Sequence, residues 1–496
     1  MMGAYLPLFV AIPLLGAALL IIIPRARFVS KCLLVGIPLT SLAFSIALLL
    51  EHAQTPVIAE QIGAWPAGIA IPFVSDTFSA LMLATTSLLV LISALFAIAS
   101  RDADERYFGP LVLVLSAGVS GALLTADLFN LFVFIELMFL PSCGLIIMRK
   151  GLRRLEAPRL YVSMNLITSA ILVTGIGLVY AQTGTVNLAQ LSGAAEESTM
   201  TAAAVGVIFI ALGIKAAVFP VHGWLARTYP ATSPVVTALF SGLHTKVAVY
   251  ALYRIYAVMF EGAEKYLWLA TAIFIVTMVV GAFGALGEKH LRSILAFHMV
   301  SQIGYILLGL ALFGPLGIAA GIFYLIHHMI VKASLFFSAG AIEETYGSGD
   351  LKKLSGIARS NKVVAVAFFG AALSLAGIPP FSGFIAKYAL LRAALDLSNI
   401  AAAIAIVAVS IITLMSMLKI WNTVFWDRPH LDDESNHENS DTKASSIKLA
   451  LALPGLALAL LSLFIGLNAN VLMELSDRAA ETLTNTQPYV EEVLSE

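Results

Sequence analysis

One acid and four amines sit in stretches of this chain that otherwise avoid charge. Glu136 lies in "DLFNLFVFIELMFLPSCGLIIM", Lys215 in "ALGIKAAVFPVHGWL", Lys246 in "SGLHTKVAVYALYRI", Lys332 in "YLIHHMIVKASLFFSAG" and Lys387 in "LAGIPPFSGFIAKYALL". An ionised group in an apolar surround needs a partner, water or a purpose. One carboxylate cannot neutralise several ammonium groups, so some of the amines must be hydrated or uncharged, and such a group can gain and lose a proton. Imidazoles accompany them. His328 precedes Lys332 by one helical turn and shares its face, and the adjacent pair His327 and His328 can both donate and accept near neutral pH. His244, Ser241 and Thr245 flank Lys246 and offer a further imidazole and two hydroxyls as secondary members. The chemistry this set suits is movement of protons.

Glu136, Lys215 and Lys246 stand about halfway along their apolar runs, where an interface is out of reach. Lys332 reads equally well as a relay or as a long amine snorkelling to an interface, and Lys419, near a run's end, reads as snorkelling. His298 and His222 read as hydrogen-bonded packing residues. The only two cysteines, Cys32 and Cys143, lie in or beside apolar runs, so no disulfide framework or Cys-rich metal site is expected. There is no Walker A motif, no GxGxxG and no cluster of cysteines for iron and sulfur, so no cofactor and no resident metal are expected, and the energy source is an ion gradient or a partner. With Glu136 the clearest buried acid, the sequence offers no carboxylate cage for sodium.

The elements that must position these groups follow from composition. The chain has 496 residues, 59% hydrophobic and 12% charged, with mean hydropathy +0.93; a soluble domain carries about 25% charged residues. It reads as an all-α polytopic membrane protein. A net charge of -1 and a pI near 6.8 exclude a strong nucleic-acid footprint. Spans need about 20 apolar residues. Windows of that size give about fourteen: 5–23, 31–50, 75–99, 108–125, 127–148, 159–182, 200–225, 234–260, 266–287, 292–313, 315–342, 362–395, 400–426 and 447–467. The apolar start lacks a basic leader and a small-residue cleavage site, which makes it a first span rather than a signal peptide.

Basic residues fall in alternate loops. Arg25, Arg27 and Lys31, then Arg101 and Arg106, then Arg149, Lys150, Arg153, Arg154 and Arg159, then Lys289 and Arg292, then Lys352, Lys353, Arg359 and Lys362 share one side. The loops 51–74 and 183–200 contain no Lys or Arg, and the tail 467–496 has only Arg478. Both termini are therefore expected outside a cell membrane, with "WDRPHLDDESNHENSDTK" a solvated cytoplasmic loop. Spans four to eight and nine to thirteen form two blocks of five, and an odd block re-enters from the opposite face, the arithmetic of an inverted repeat. The resulting division is 1–107 for spans one to three, 108–260 and 261–427 for the two halves, and 428–496 for the loop, final span and tail. Pro220 and "GIPPFSG" at 377–383 should break the seventh and twelfth spans beside Lys215 and Lys387, and breaks at membrane depth require a polar cavity. Gly317 and Gly321 have GxxxG spacing, expected to serve close helix packing.

At these residues the chain resembles the antiporter-like subunits shared by Mrp-type cation/proton antiporters and respiratory complex I. "GIKAAVFPVHGWLARTYPATSPVVTALFSGLHTKVAVYALYR" and "AGIPPFSGFIAKYAL" carry the resemblance, which extends from about 75 to 426. It implies two inverted five-helix bundles within fourteen spans, and a line of protonatable groups across the membrane centre. Residue by residue these match Glu136, Lys215, Lys246 and Lys387, with His327, His328 and Lys332 similar to the family's connecting polar residues and Glu136 partnered by Lys215. "TADLFNLFVFIEL" and the length are most similar to the D-type antiporter subunits, which implies partners of the A, B, C, E, F and G types and exchange of Na+ for H+. A proton-pumping N- or M-type subunit of an NADH:quinone oxidoreductase is the alternative; the M type usually has Glu where this chain has Lys387.

Overall fold

Helix starts in this chain are written by short polar residues. Asp76 opens one helix through a reciprocal capping box with Ser79, its carboxylate accepting from Ser79 N–H at 2.9 Å. Asp127 accepts from Asn130 N–H at 2.7 Å, and Pro234 follows the cap Ser233 at the first position of the longest fully buried helix. The computed structural model describes residues 2–23, 27–65, 70–148, 156–426 and 446–495. Arg25, Arg149, Lys150, Arg153, Arg154 and the polar loop 427–445 lie outside the described residues.

In chain order the helices are α1 (Leu8–Ile22), α2 (Arg27–Glu51), α3 (Thr77–Ser100), α4 (Phe108–Leu124), α5 (Leu128–Ile147), α6 (Glu156–Thr183), α7 (Ala194–Glu197), α8 (Thr199–Ala216), α9 (Gly223–Thr228) and α10 (Pro234–Phe260). They continue with α11 (Leu267–Gly287), α12 (Leu291–Ala311), α13 (Pro315–Tyr346), α14 (Ile357–Ser360), α15 (Lys362–Ala376), α16 (Ser382–Asp396), α17 (Ile400–Ile420), α18 (Leu449–Leu467), α19 (Ala469–Thr484) and α20 (Gln487–Leu494). Among the described residues, twelve helices are long and apolar enough to cross a membrane, and α4 and α15 are shorter apolar helices that occupy the fourth and twelfth expected windows. Consecutive helices pack as hairpins, α2 on α3, α4 on α5, α6 on α8 and α11 on α12. The core is built on α10, buried along its whole length, and on α12 and α13, whose apolar windows are 94% buried. By contrast α1 and α2 keep wide apolar faces outward, as a lipid-facing helix must. Gly317 and Gly321 do serve close packing: a Cβ on Gly309 of α12 would stand 2.5 Å from Gly321 Cα.

The expected breaks occur, and both take the same local form. α8 ends on Ala217 in the left-handed region (φ 64°), and α15 ends on Gly377 in the same region (φ 89°). Three residues further on stand Pro220 and Pro380, each preceded by a cis peptide bond. Backbone groups freed at the first break are recaptured: Ile214 O accepts from Trp224 Nε1 at 2.9 Å, and Phe219 N–H donates to Thr277 Oγ1 of α11 at 3.1 Å. At the second, Ala376 O accepts from Lys387 Nζ at 2.8 Å.

Two stretches that read as plain loop or tail carry structure. Across 57–76, which takes in most of the loop 51–74, β1 (Val57–Gln61) and β2 (Pro72–Asp76) pair antiparallel, Val57 opposite Asp76. After the last span, α19 packs on α13, α3 and α10, and α20 packs on β1. Both tail helices are amphipathic, so their apolar faces had to find cover.

Candidate functional site

Glu136 of α5 and Lys215 of α8 do not meet directly. Among the described residues the ion pairs are Lys31–Asp104 at 3.0 Å, Arg254–Asp76 at 2.6 Å and Arg292–Glu343 at 2.6 Å. The direct acid–amine contact that the sequence suggested is instead mediated by α6, which packs against both α5 and α8. Ser169 Oγ donates to Glu136 Oε1 in a short hydrogen bond, and Lys215 Nζ donates to Asn165 Oδ1 at 3.0 Å. Asn165 and Ser169 are four residues apart, so one face of α6 presents one partner to each charged group. Glu136 is half-buried, whereas Lys215 is 4% exposed.

The next members stand on α10. His244 Nε2 and Ser142 Oγ of α5 are 2.7 Å apart, and His244 lies within electrostatic reach of Lys215. Lys246, fully buried, donates to Thr245 Oγ1 at 3.0 Å. Ser241 does not join them. Its hydroxyl donates to Ala238 O one turn back, which a helical serine does when no better acceptor faces it.

The third group is on α13. His328 and Lys332 are fully buried and within electrostatic reach of Lys246. Neither His328 nitrogen nor Lys332 Nζ has a hydrogen-bond partner in the protein; Lys332 Nζ sits 5.6 Å from the centre of the Phe336 ring. Buried polar groups of this kind are normally satisfied by water. Snorkelling is not what Lys332 does, because α13 is buried continuously from Gly317 to Ile342 and Lys332 itself is fully buried. Lys419 behaves otherwise, donating to Leu286 O and Glu288 O at 2.8 Å each and so capping the end of α11. His298 Nε2 meets Ser416 Oγ at 2.8 Å and His222 packs on Phe219 and Phe297, consistent with packing roles.

The fourth group surrounds the second break. His327 Nδ1 meets Ser382 Oγ at 2.8 Å, Ser382 Oγ meets Ser462 Oγ of α18 at 2.8 Å, and Ser462 Oγ meets Ser374 Oγ of α15 at 2.7 Å. His327 lies within electrostatic reach of Lys387, which is 7% exposed and has its Nζ 5.4 Å from the centre of the Tyr305 ring. Thus six of the seven candidate residues, Lys215, Lys246, His327, His328, Lys332 and Lys387, are buried on α8, α10, α13 and α16, with Glu136 of α5 half-buried beside them. Ser142, Asn165, Ser169 and the three serines of the second break escaped the sequence reading. Only Asn165 carried a signal, as an amide in mid-span four residues from a serine.

Away from this line, Asp76 and Arg254 form a buried cluster at the start of α3. Thr482 Oγ1 of α19 donates to Asp76 Oδ2 at 3.4 Å, and Tyr489 of α20 lies with its ring centre 5.0 Å from the guanidinium. Burial pushes the Asp76 carboxyl up, but the Arg254 guanidinium and the Ser79 N–H outweigh it and hold the group below the usual carboxylate range.

The family sequence pattern described as NADH:quinone oxidoreductase/Mrp antiporter, transmembrane, matches residues 125–413. The D-type Na(+)/H(+) antiporter protein of Alkalihalophilus pseudofirmus is 34% identical, over 98% of this chain and 98% of that one. A chain in the structure of the Mrp complex from Dietzia sp. is 49% identical with TM-score 0.96, covering 100% of both chains. A chain of respiratory complex I from Thermus thermophilus, 24% identical with TM-score 0.80 over 96% of this chain and 99% of that one, shares the fold.

Proposed function

Because the chain belongs to the NADH:quinone oxidoreductase/Mrp antiporter transmembrane family, we propose that it is the D-type, proton-translocating subunit of a multi-subunit Na+/H+ antiporter. It is a secondary transporter subunit and not an enzyme, working with the A, B, C, E, F and G types of subunit in the plasma membrane. Identity of 49% to a chain of an Mrp complex, against 24% to a chain of complex I, favours this over a respiratory pump subunit.

The observation that carries the reading is the set of buried amines and imidazoles on α8, α10, α13 and α16, which includes one lysine beside each helix break. Protons pass along Lys215, Lys246, the His327/His328 pair with Lys332, and Lys387, while sodium crosses elsewhere in the assembly. Glu136 acts on Lys215 through a choice of partner. Lys215 now rests on Asn165, one turn of α6 from the serine that holds Glu136. An acid and an amine at about 4 Å and an effective dielectric near 20 attract by roughly 4 kcal/mol. That exceeds a hydrogen bond from the same ammonium to an amide oxygen, about 1.5–3 kcal/mol, so a swing of Lys215 from Asn165 to Glu136 is a two-position switch on its proton affinity. One proton moving down 100 mV releases roughly 2.3 kcal/mol, enough to drive a sodium ion uphill under tight coupling.

The matching left-handed ends at Ala217 and Gly377 support two inverted halves, 108–260 and 261–427; twelve long apolar helices with the shorter α4 and α15 support fourteen spans, and the alternation of basic loops supports both termini external. The test is transport. Glu136→Ala and Lys215→Ala complexes that assemble normally should lose Na+-dependent proton exchange in everted vesicles, and full exchange in either refutes the proposal.

A further inference from the structure

The final span, α18, lies outside both five-helix halves, yet it reaches the line of ionisable groups. Its three contacts share one face. Gly455 O accepts from Ser334 Oγ of α13 at 2.7 Å, Ser462 bonds two serines, and at Gly466 an added Cβ would stand 2.1 Å from Pro380 O. Positions 455, 462 and 466 recur at seven and four residues, so α18 is seated on α13 and on the second break by the same stripe. Ser462 is 1% exposed and Ser374 and Ser382 are fully buried, so the three hydroxyls have no bulk water to exchange with. At Gly383 a Cβ would stand 1.7 Å from Ser374 O and 3.0 Å from His327 Cε1, and the absence of a side chain there lets α15, α16 and α13 close on one point.

We infer that Ser462 of the last span, with Ser382 and Ser374, is a hydroxyl relay that carries protons between His327 and the break holding Lys387. This rests on the proton-translocating reading above. A hydroxyl donates one hydrogen bond while accepting another, so a row of three can pass a proton without any of them holding a net charge for long. His327 Nδ1–H gives its proton to Ser382 Oγ as the Ser382 proton passes to Ser462 Oγ and the Ser462 proton to Ser374 Oγ. The original Ser374 proton passes through a water in the break to the lone pair of the uncharged Lys387 amine, which becomes the ammonium while its N–H still bonds the carbonyl of Ala376, two residues along from Ser374. Each oxygen gains one O–H bond and loses one, and His327 stays neutral by taking at Nε2, a buried nitrogen with no partner in the protein, the proton that the Lys332 ammonium gives up through an intervening water. Rotation of the hydroxyls resets the row, and the reverse sequence carries a proton the other way.

The experiment uses the whole antiporter complex in everted vesicles, with subunit abundance checked by immunoblot. Ser462→Ala should slow Na+-dependent proton exchange on the order of tenfold, a barrier rise of about 1.4 kcal/mol. Ser462→Thr, which keeps the hydroxyl, should restore most of the rate, and Ser45→Ala, a buried serine of α2 bonded within its own helix, should change nothing. Ser374→Ala cuts the row at its other end and decides the matter if Ser462→Ala fails to accumulate. Wild-type rates in an assembled Ser462→Ala or Ser374→Ala complex, or equal slowing by Ala and Thr at 462, overturn the relay. Lys387→Ala separates the two levels: exchange intact there overturns the proton-translocating reading itself, whereas exchange lost there with Ser462→Ala unaffected overturns only the relay.

Discussion

Substituting Arg254 by Leu should destabilise this protein more than any single change on its lipid-facing surface. Asp76 is fully buried and Arg254 is 4% exposed, and their contact is 2.6 Å. Removing the cation leaves a carboxylate with Ser79 N–H and Thr482 Oγ1 as its partners, and an uncompensated buried charge costs about 3–5 kcal/mol. The guanidinium also packs on the rings of Tyr250 and Tyr489, at 5.5 and 5.0 Å, so part of the loss is contact with α20. Asp76→Asn keeps the cap through its one amide oxygen, but its NH2 replaces the Oδ2 that accepts from Arg254 Nη2, so it leaves a buried guanidinium without its acceptor and should also cost about 3 kcal/mol. In the double variant no unpaired charge remains, so its loss should fall short of the sum of the singles by about 2 kcal/mol or more. The assay is the thermal midpoint of the detergent-solubilised complex, with protease cleavage near residues 485–487 reporting release of α19 and α20. Arg254→Leu should lower the midpoint by several degrees and expose the tail. Strict additivity of the two substitutions, or a protected tail in Arg254→Leu, would falsify the account of this cluster.

Two further outcomes follow from the same structure. The Asp76 carboxyl is held below its ordinary value, so the stability it contributes is fully present above the unfolded-state pKa, near 4, and drains away as pH falls through the lower folded value; tail protection in hydrogen exchange should be flat from about pH 8 to 5 and fail only in stronger acid. Asn165→Leu removes the hydrogen-bond acceptor on which Lys215 rests, and should slow sodium-dependent proton exchange on the order of tenfold in an assembled complex, the rate factor of about 1.4 kcal/mol; an unchanged rate removes Asn165 from the switch.

What could be read from residues alone was whatever announces itself by type. A carboxylate or an amine inside an apolar run is conspicuous, and proline forecasts a break, so Lys215 and Lys387 beside Pro220 and "GIPPFSG" were legible with their surroundings. Serines were not. A hydroxyl in a span commonly returns its hydrogen bond to its own helix, as Ser241 does, and nothing local separates it from Ser462, which bonds two other helices. Whether two charges touch was equally hidden, because spacing along one helix says nothing about the helix that comes between; α6 stands between Glu136 and Lys215. The β1–β2 ribbon escaped for another reason, since a five-residue strand in a loop without basic residues carries little pattern.

The closing of the Asp76–Arg254 pair by the tail also imposes an order on biosynthesis. Residue 76 is inserted before residue 254, and Thr482, Tyr489 and Val493, whose carbonyl accepts from Gln61 Nε2 at 2.8 Å, leave the ribosome after both. Until they arrive, the pair and the edge of β1 remain open to water. The seal is thus made late, by α19 and α20 folding back on α3 and β1, and a copy in which α20 has not yet docked carries a hydrated charge cluster that the folded copy hides.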